Sequence, residues 1–84
     1  MQGQDGGVSP AARFAFDRAM KLAPDHPGPP FFLGLELIRS GAFREARPWW
    51  RRAYRLTPTG IGYRQAIGER LALLEQFLAN EAGR

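Results

Sequence analysis

Cysteine is absent from this 84-residue chain, and so is any long apolar run. Without cysteine there is no disulfide framework, no thiolate zinc site and no thiol nucleophile. The longest apolar stretches, such as Phe31–Leu35, are far shorter than the roughly 20 residues that cross a bilayer. Residues 1–7 also lack the apolar centre of a signal peptide. These absences predict a soluble chain, and its length allows one small domain.

Acidic residues are outnumbered, with eight Asp and Glu against twelve Lys and Arg, and eleven of the twelve cations are Arg. The formal net charge of +4 has two interpretations. One is an anionic partner, and the other is a solvated helical surface whose charge keeps the protein soluble.

The sequence repeats itself with a period of 34 residues. The shift aligns Gly7 with Gly41, Ala12 with Ala46, Phe16 with Trp50, Ala19 with Ala53, Leu22 with Leu56, Pro24 with Pro58, Leu33 with Ile67, Gly34 with Gly68 and Leu37 with Leu71. Small, large and proline positions therefore recur in phase, which is typical of architectures that stack one supersecondary unit.

Local signals divide the repeat into four helices and predict no strand. The expected helices are Ser9–Leu22, a second helix after the turn at 27–30 that ends at Ser40–Gly41, Phe43–Leu56, and a fourth that starts near Ile61. Ser9 is the expected N-cap before Pro10, and Gly41 the expected left-handed cap. The predicted organisation is a flexible segment at residues 1–8, a helical domain at 9–81 and a tail at 82–84.

Three residues inside these helices need an explanation. Gly within a helix costs about 1 kcal/mol relative to Ala, so Gly34 and Gly68 predict a close approach by a neighbouring helix. Ala46 and Ala53 are the expected facing residues. Pro48 removes a helical hydrogen bond, which predicts either a kink or a late helix start after an irregular turn.

These positions resemble the tetratricopeptide family, whose 34-residue helix-turn-helix repeat has a fixed pattern of small, aromatic and proline positions. The pattern is matched within residues 27–60 by Leu33, Gly34, Gly41, Phe43, Ala46, Trp50, Ala53 and Pro58. Pro30 departs from it, because the family usually has an aromatic residue there. The resemblance implies an all-α fold: a fragment of an antiparallel helix-turn-helix solenoid with four helices, one full repeat flanked by two half repeats. A chain that starts in mid-repeat is expected to be part of a longer protein.

The residues that could carry catalysis do not form a recognisable set. His26 is the single histidine and lies in a turn beside Asp25, a sequence typical of a connection between helices. Residues 60–62 lack the third glycine and the preceding strand of a dinucleotide-binding loop. We therefore expect no enzyme activity, no cofactor and no metal site.

A basic face is predicted on the third helix, where cations recur at steps of three and four residues: Arg44, Arg47, Arg51 and Arg55. One interpretation is nucleic-acid binding, with Trp49 stacking on a base. The other is a solvated outer face on which Arg lies over Trp49. Trp49 itself is expected to be partly exposed, either as a contact with another protein or along its own helix.

The tetratricopeptide resemblance implies that the second and fourth helices line a groove that binds peptides. The corresponding positions are Phe31, Leu35, Ile38, Arg39, Gln65, Glu69, Ala72 and Leu73. An apolar groove with a mixed-charge rim suits an amphipathic helix or an apolar peptide. The alternative is that Phe31 and Ile38 complete the core.

A narrower resemblance covers residues 6–78 and involves Gly7–Pro10, the pair Phe31–Phe32 and Trp50. It is to the C-terminal region of the cytochrome c biogenesis tetratricopeptide proteins, known as CcmI or CycH. That resemblance implies a chaperone that holds the C-terminal helix of an apocytochrome c on the periplasmic side of a bacterial inner membrane. An ordinary tetratricopeptide module would instead be cytoplasmic.

A structural function is the alternative to peptide binding. The first predicted helix has no preceding partner, so Phe14 and its apolar neighbours are expected to be exposed. An exposed apolar face favours self-assembly, with a homodimer as its simplest product.

Overall fold

The structure is a computed structural model that describes residues 8–82, and this part of the chain folds into four helices without a strand. They are α1 (Pro10–Leu22), α2 (Gly28–Arg39), α3 (Phe43–Leu56) and α4 (Gly62–Ala82). The predicted all-α class and the order of four helices are confirmed. Residues 1–7 and 83–84, which hold most of the predicted terminal segments, lie outside the described residues. Val8 packs against the core.

The first helix starts at the predicted cap. The Oγ of Ser9 accepts a hydrogen bond from the backbone N–H of Ala12 at 3.1 Å, and Pro10 occupies the first turn. A capping side chain satisfies one of the backbone donors that a helix leaves unpaired at its start. Near the C-terminal end of α1, the side chain of Met20 is buried in the core.

We expect Ser9→Ala to lower the free energy of unfolding by about 1 kcal/mol, because Ala12 N–H then loses its acceptor. Urea denaturation followed by circular dichroism measures the difference. Thr59→Ala is the control, since Thr59 is exposed and lies outside the helices. Equal effects of the two substitutions would contradict a capping role for Ser9.

The second helix begins earlier than predicted, at Gly28, and includes Pro29 and Pro30 in its first turn. Proline is tolerated there because the first backbone N–H groups of a helix have no intrahelical acceptor. Nδ1 of His26 accepts a hydrogen bond from the N–H of Gly28 at 2.9 Å. Pro30 is buried, so it fills part of the core at the position where the tetratricopeptide pattern has an aromatic residue.

A tight turn joins α2 to α3. Gly41 has a φ of 85°, and the N–H of Ala42 donates to the carbonyl oxygen of Leu37 at 2.8 Å. Only glycine adopts such a φ at little cost, as predicted for this cap. The helix then runs from Phe43 through Pro48, so the late start considered from the sequence is not observed. Pro48 is exposed, where water can hydrate the carbonyl that loses its partner.

The core lies between α2 and α3 and extends to the ends of α1 and α4. Its buried members are Met20, Leu33, Leu37, Ala46, Trp50, Leu74 and Leu78. Gly34 lies against Trp50: a Cβ at Gly34 would be 2.6 Å from Nε1 of the indole. At Gly68 a Cβ would be 2.9 Å from Cε1 of Tyr54. The predicted close approach at both glycines is confirmed, but the facing groups are aromatic rings rather than alanines.

Polar contacts hold the junction between α3 and α4. The Oγ1 of Thr57 is buried and donates to the carbonyl oxygen of Ala53 at 2.8 Å. Nε of Arg64 donates to the carbonyl oxygen of Thr57 at 2.9 Å, and its guanidinium lies 4.0 Å from the ring centroid of Tyr54. This distance is that of a cation–π pair, whereas the pair considered for Trp49 is not found within residues 8–82. These contacts fix the direction in which α4 leaves the turn.

Each helix packs against the helices next to it in sequence. No Cα of α2 lies within 8 Å of a Cα of α4, so the two are separated and α3 spans the space between them. This packing of helical hairpins is consistent with a tetratricopeptide-like fragment. Within the described range, no helix combines the length and apolar content needed to cross a membrane.

Candidate functional site

Trp50 of α3 contributes the floor of a groove between α2 and α4. Its ring stacks on Phe31, with centroids 5.7 Å apart and planes inclined by 12°. Its Nε1–H donates to the carbonyl oxygen of Phe31 at 3.0 Å. The stack restricts rotation of the side chain, and the hydrogen bond fixes its polar edge. Trp50 therefore forms a rigid aromatic floor for the part of the groove that it lines.

The first part of the groove lies beside the N-terminal halves of α2 and α4. It is a cavity of about 400 Å³, lined by Phe31 and Phe32 on one side and by Tyr63, Ala66 and Arg70 on the other. His26 and the start of α2 close its end. Because the imidazole of His26 is already bonded to Gly28, its position in this wall is fixed. Aromatic rings dominate the lining, which suits apolar side chains of a ligand.

The second part lies toward the C-terminal halves of the same helices. This cavity of about 290 Å³ is lined by Ile38, Phe43, Leu73 and Phe77, together with Trp50. The Phe77 ring packs edge-on against Phe43, with centroids 5.0 Å apart. Arg70 lines both cavities, so they adjoin at this side chain, and together they are called the groove.

The α4 wall of the groove is one continuous face of the helix. Its residues follow steps of three and four: Tyr63, Ala66, Arg70, Leu73 and Phe77. Such steps place side chains one above another on a helix. At a rise of 1.5 Å per residue, the wall is about 21 Å long. The groove can therefore accommodate about four turns of a ligand helix.

Large apolar side chains are unusually exposed along this groove. Four of the seven exposed large hydrophobic residues of the described chain line it: Phe32 (55% exposed), Tyr63 (54%), Leu73 (68%) and Phe77 (43%). Single exposed apolar residues are common, but a contiguous group around a concavity marks an interaction site. The exposure is thus concentrated where the cavities are.

The electrostatics of the groove depend on Arg70. Its side chain is exposed, and it takes part in none of the ion pairs found among residues 8–82. No acidic side chain lines either cavity. A guanidinium with free donors binds a carboxylate through two parallel hydrogen bonds. The groove therefore combines apolar walls with one cation near its middle.

The structure divides the eight predicted groove residues between different surfaces. Phe31, Ile38 and Leu73 line the groove. Phe31 and Ile38 also pack against the core. Leu35 is half-buried against the core, and Arg39 is exposed and pairs with Glu36 at 3.3 Å.

The other three predicted residues line a separate recess on α4: Gln65, Glu69 and Ala72. This recess also contains Gly68, Leu71 and the ring of Tyr54. The predicted positions assume the family arrangement, in which equivalent residues of successive repeats face one groove. Here no Cα of α2 lies within 8 Å of a Cα of α4, and α4 presents a neighbouring face to the groove.

Sequence reasoning missed other groove residues, among them Phe32, Tyr63, Ala66, Arg70 and Phe77. The spacing of the α4 residues is a signal that could have found them, because 63, 66, 70, 73 and 77 form a second helical stripe beside the core stripe of Ile67, Leu74 and Leu78. Choosing between the two stripes requires knowing which one α3 covers.

The predicted basic face of α3 is partly neutralised. Arg51 pairs with Glu75 of α4 at 2.7 Å. Arg44 and Arg55 are exposed and Arg47 is half-buried. Trp49 is partly exposed, as predicted, and packs against the core.

No cluster of three or more His, Cys, Asp and Glu side chains within residues 8–82 could hold a metal ion. His26 contacts backbone rather than Asp25 among the hydrogen bonds of this region. Comparisons of the chain with known protein families, with curated proteins and with solved structures found no match, so its function is inferred from the groove itself.

Proposed function

We propose that this protein binds an apolar, helical segment of another polypeptide in the groove between α2 and α4. The observation that carries the proposal is the concentration of exposed large apolar side chains around one concavity. Burying them against a ligand contributes about 25 cal/mol for each Å² of apolar surface removed from water. The rigid floor at Trp50 limits the conformational entropy lost on binding.

The dimensions and charge of the groove indicate which kind of ligand would fit it. A segment of about four turns, with apolar anchors at positions i, i+3 or i+4, and i+7, matches the 21 Å wall. An acidic side chain between two anchors would pair with Arg70. A strongly basic segment would be excluded, because no acid lines the groove to receive it.

The C-terminal helix of an apocytochrome c is our proposed ligand within this class. The resemblance to cytochrome c biogenesis proteins supports it, and it would place the protein on the periplasmic side of a bacterial inner membrane. Nucleic-acid binding through α3 is less favoured, because Arg51 is paired with Glu75 and Trp49 is packed against the core.

A peptide with the sequence of such a C-terminal helix is the probe, and isothermal titration calorimetry is the measurement. We expect saturable binding that Leu73→Asp weakens by about tenfold or more, because a carboxylate at the centre of an interface must be desolvated. Ala79→Asp is the matched control, since Ala79 is exposed on α4 outside the groove. If binding is not saturable at high micromolar peptide, the apocytochrome helix is not the ligand. Equal weakening by both variants would contradict the groove.

A charge reversal separates the groove from the basic face of α3. We expect Arg70→Glu to weaken binding of an acidic peptide by about tenfold, whereas Arg55→Glu, with the same change in net charge, leaves it unchanged. The same pair tested with single-stranded RNA distinguishes the nucleic-acid hypothesis, for which Arg55→Glu would be the damaging change. If the two variants weaken peptide binding equally, long-range charge rather than the groove determines affinity.

A further inference from the structure

The two cavities of the groove differ in the size of the residues along their α4 wall. Of the five residues that form this wall, Ala66 alone is small, and it lies in the first cavity between Tyr63 and Arg70. The second cavity has Leu73 and Phe77 on the same wall. The first cavity encloses about 400 Å³, whereas a cavity of about 150 Å³ already holds a benzene ring. Because the side chain of Ala66 ends at Cβ, the first cavity has room for a large ring.

Aromatic rings form the other walls of the first cavity. Phe31 and Phe32 line it on α2, and Tyr63 lines it on α4. The rings of Phe31 and Phe32 already meet edge to face, with centroids 5.5 Å apart and planes inclined by 74°. Aromatic pairs prefer such arrangements, at centroid separations of about 4.5–7 Å, and gain energy from them beyond the burial of surface. The lining therefore favours a ring over an aliphatic side chain of similar area.

Arg70 adds to this preference. It is exposed and belongs to none of the ion pairs found within residues 8–82. Elsewhere in the protein a guanidinium does pack on a ring, because Arg64 lies 4.0 Å from the ring centroid of Tyr54. A guanidinium can present its flat face to a ring while its edge donates to a carboxylate. Arg70 can therefore bind an aromatic anchor and a neighbouring acid of one ligand together.

The end of the first cavity is closed by a fixed wall. A Cβ at Gly28 would be 2.9 Å from Cε1 of His26, so the glycine allows the imidazole to pack against the start of α2. The N–H of Gly28 holds the ring there through Nδ1. The first cavity thus ends at His26 instead of continuing along the two helices, which suits a single anchor.

We propose that the first cavity selects an aromatic side chain of the ligand and that Ala66 determines this selection; the proposal rests on the peptide-binding function proposed above. The ring packs over Ala66, between Phe32 and Tyr63. The first cavity spans the wall from Tyr63 to Arg70 and the second from Arg70 to Phe77, so their centres are about seven residues, or about 10 Å, apart along α4. The ligand is therefore a helix with an aromatic anchor, an apolar anchor seven residues away and an acid between them.

Helical peptides of four turns are the probes. They share a leucine anchor, a glutamate midway and a background of alanine and glutamine, and they differ at one anchor seven residues from the leucine: phenylalanine, cyclohexylalanine or leucine. Cyclohexylalanine is close to phenylalanine in shape and is no less apolar, but it has no π system. Each peptide is made with the variable anchor on either side of the shared leucine, and the order in which the phenylalanine peptide binds more tightly is compared.

Isothermal titration calorimetry measures the affinities. We expect the phenylalanine peptide to bind about tenfold more tightly than the leucine peptide and about threefold more tightly than the cyclohexylalanine peptide. If the leucine or the cyclohexylalanine peptide binds as tightly as the phenylalanine peptide, the aromatic selection is wrong, although the groove still binds peptides. If none of the three binds saturably, the groove function itself is contradicted, and the selection falls with it.

Filling the first cavity should reverse the preference. Ala66 is exposed on α4 and leucine favours helix, so Ala66→Leu is expected to fold. We expect it to bind the phenylalanine peptide about tenfold more weakly than the unchanged chain, and a peptide with alanine at the variable anchor at least as tightly. Ala79→Leu is the matched control outside the groove. If the two variants bind the phenylalanine peptide equally, Ala66 does not determine the selection. Binding of the alanine peptide shows that Ala66→Leu is folded, and Ala66→Met is a second variant.

Methyl NMR of the full chain locates the anchor. A ring current shifts the resonances of nearby protons, so the complexes with the phenylalanine and cyclohexylalanine peptides should differ most at the methyl group of Ala66. The methyl groups of Leu73, in the second cavity, serve as the internal reference. If the largest difference falls on Leu73, the aromatic anchor occupies the second cavity and the proposal is wrong.

Discussion

Replacing Trp50 with alanine is expected to lower the free energy of unfolding by about 3–5 kcal/mol. Trp50 is 4% exposed, and it is the largest side chain of the core. The substitution removes the stack with Phe31, the hydrogen bond to its carbonyl oxygen and the contact with Gly34. A domain of this size is stabilised by only about 4–13 kcal/mol in total, so a large part of that stability is lost.

Thermal unfolding followed by circular dichroism measures the effect, which corresponds to a fall in Tm of at least about 12 °C for a domain of this length. Trp49→Ala is the matched control, because it removes the same side chain from the adjacent, half-buried position. We expect the control to cost clearly less. A larger loss from Trp49→Ala would mean that the two tryptophans have exchanged roles and that the helical register of α3 is wrong.

Replacing Gly34 with leucine is expected to cost about 1–3 kcal/mol through overpacking. A Cβ alone would already lie 2.6 Å from Nε1 of Trp50, and the indole cannot move away because its stack and hydrogen bond hold it. The better helix propensity of leucine offsets less than about 1 kcal/mol of this cost. The clash therefore dominates.

Gly62→Leu is the control for that substitution. Gly62 is exposed at the start of α4, and a Cβ there meets no atom within 4 Å. We expect this variant to unfold at the same denaturant concentration as the unchanged chain, or at a slightly higher one. An unchanged unfolding curve for Gly34→Leu would count against both the repeat register and the contact between α2 and Trp50.

Both substitutions change the groove as well as the core, because Trp50 and Phe31 belong to both. A loss of peptide binding in Trp50→Ala would therefore not separate a damaged site from an unfolded protein. Leu73 and Arg70 are better probes of binding, since each is exposed and neither belongs to the buried core.

Local sequence was sufficient for most of the secondary structure. Ser9 caps the start of α1 and Gly41 follows the end of α2, as predicted. Both effects act on the nearest backbone groups, the first through a side-chain hydrogen bond and the second through a positive φ. The start of α2 was misplaced because Pro29 and Pro30 were assigned to a turn, although proline is equally compatible with the first turn of a helix. Pro48 could not be decided locally, because its cost depends on whether water reaches the freed carbonyl.

The sequence by itself determined the four helices, the 34-residue equivalence of α1 with α3 and α2 with α4, and the close approach at Gly34 and Gly68. The tertiary structure decided which face of α4 borders the groove. That choice depends on the rotation of α4 about its axis and on its distance from α2. Both are set by contacts with α3 that are distant in sequence, namely Tyr54 on Gly68, Phe43 on Phe77 and Arg51 with Glu75. A periodic pattern identifies the possible apolar faces of a helix, but the helices packed against it determine which face remains exposed.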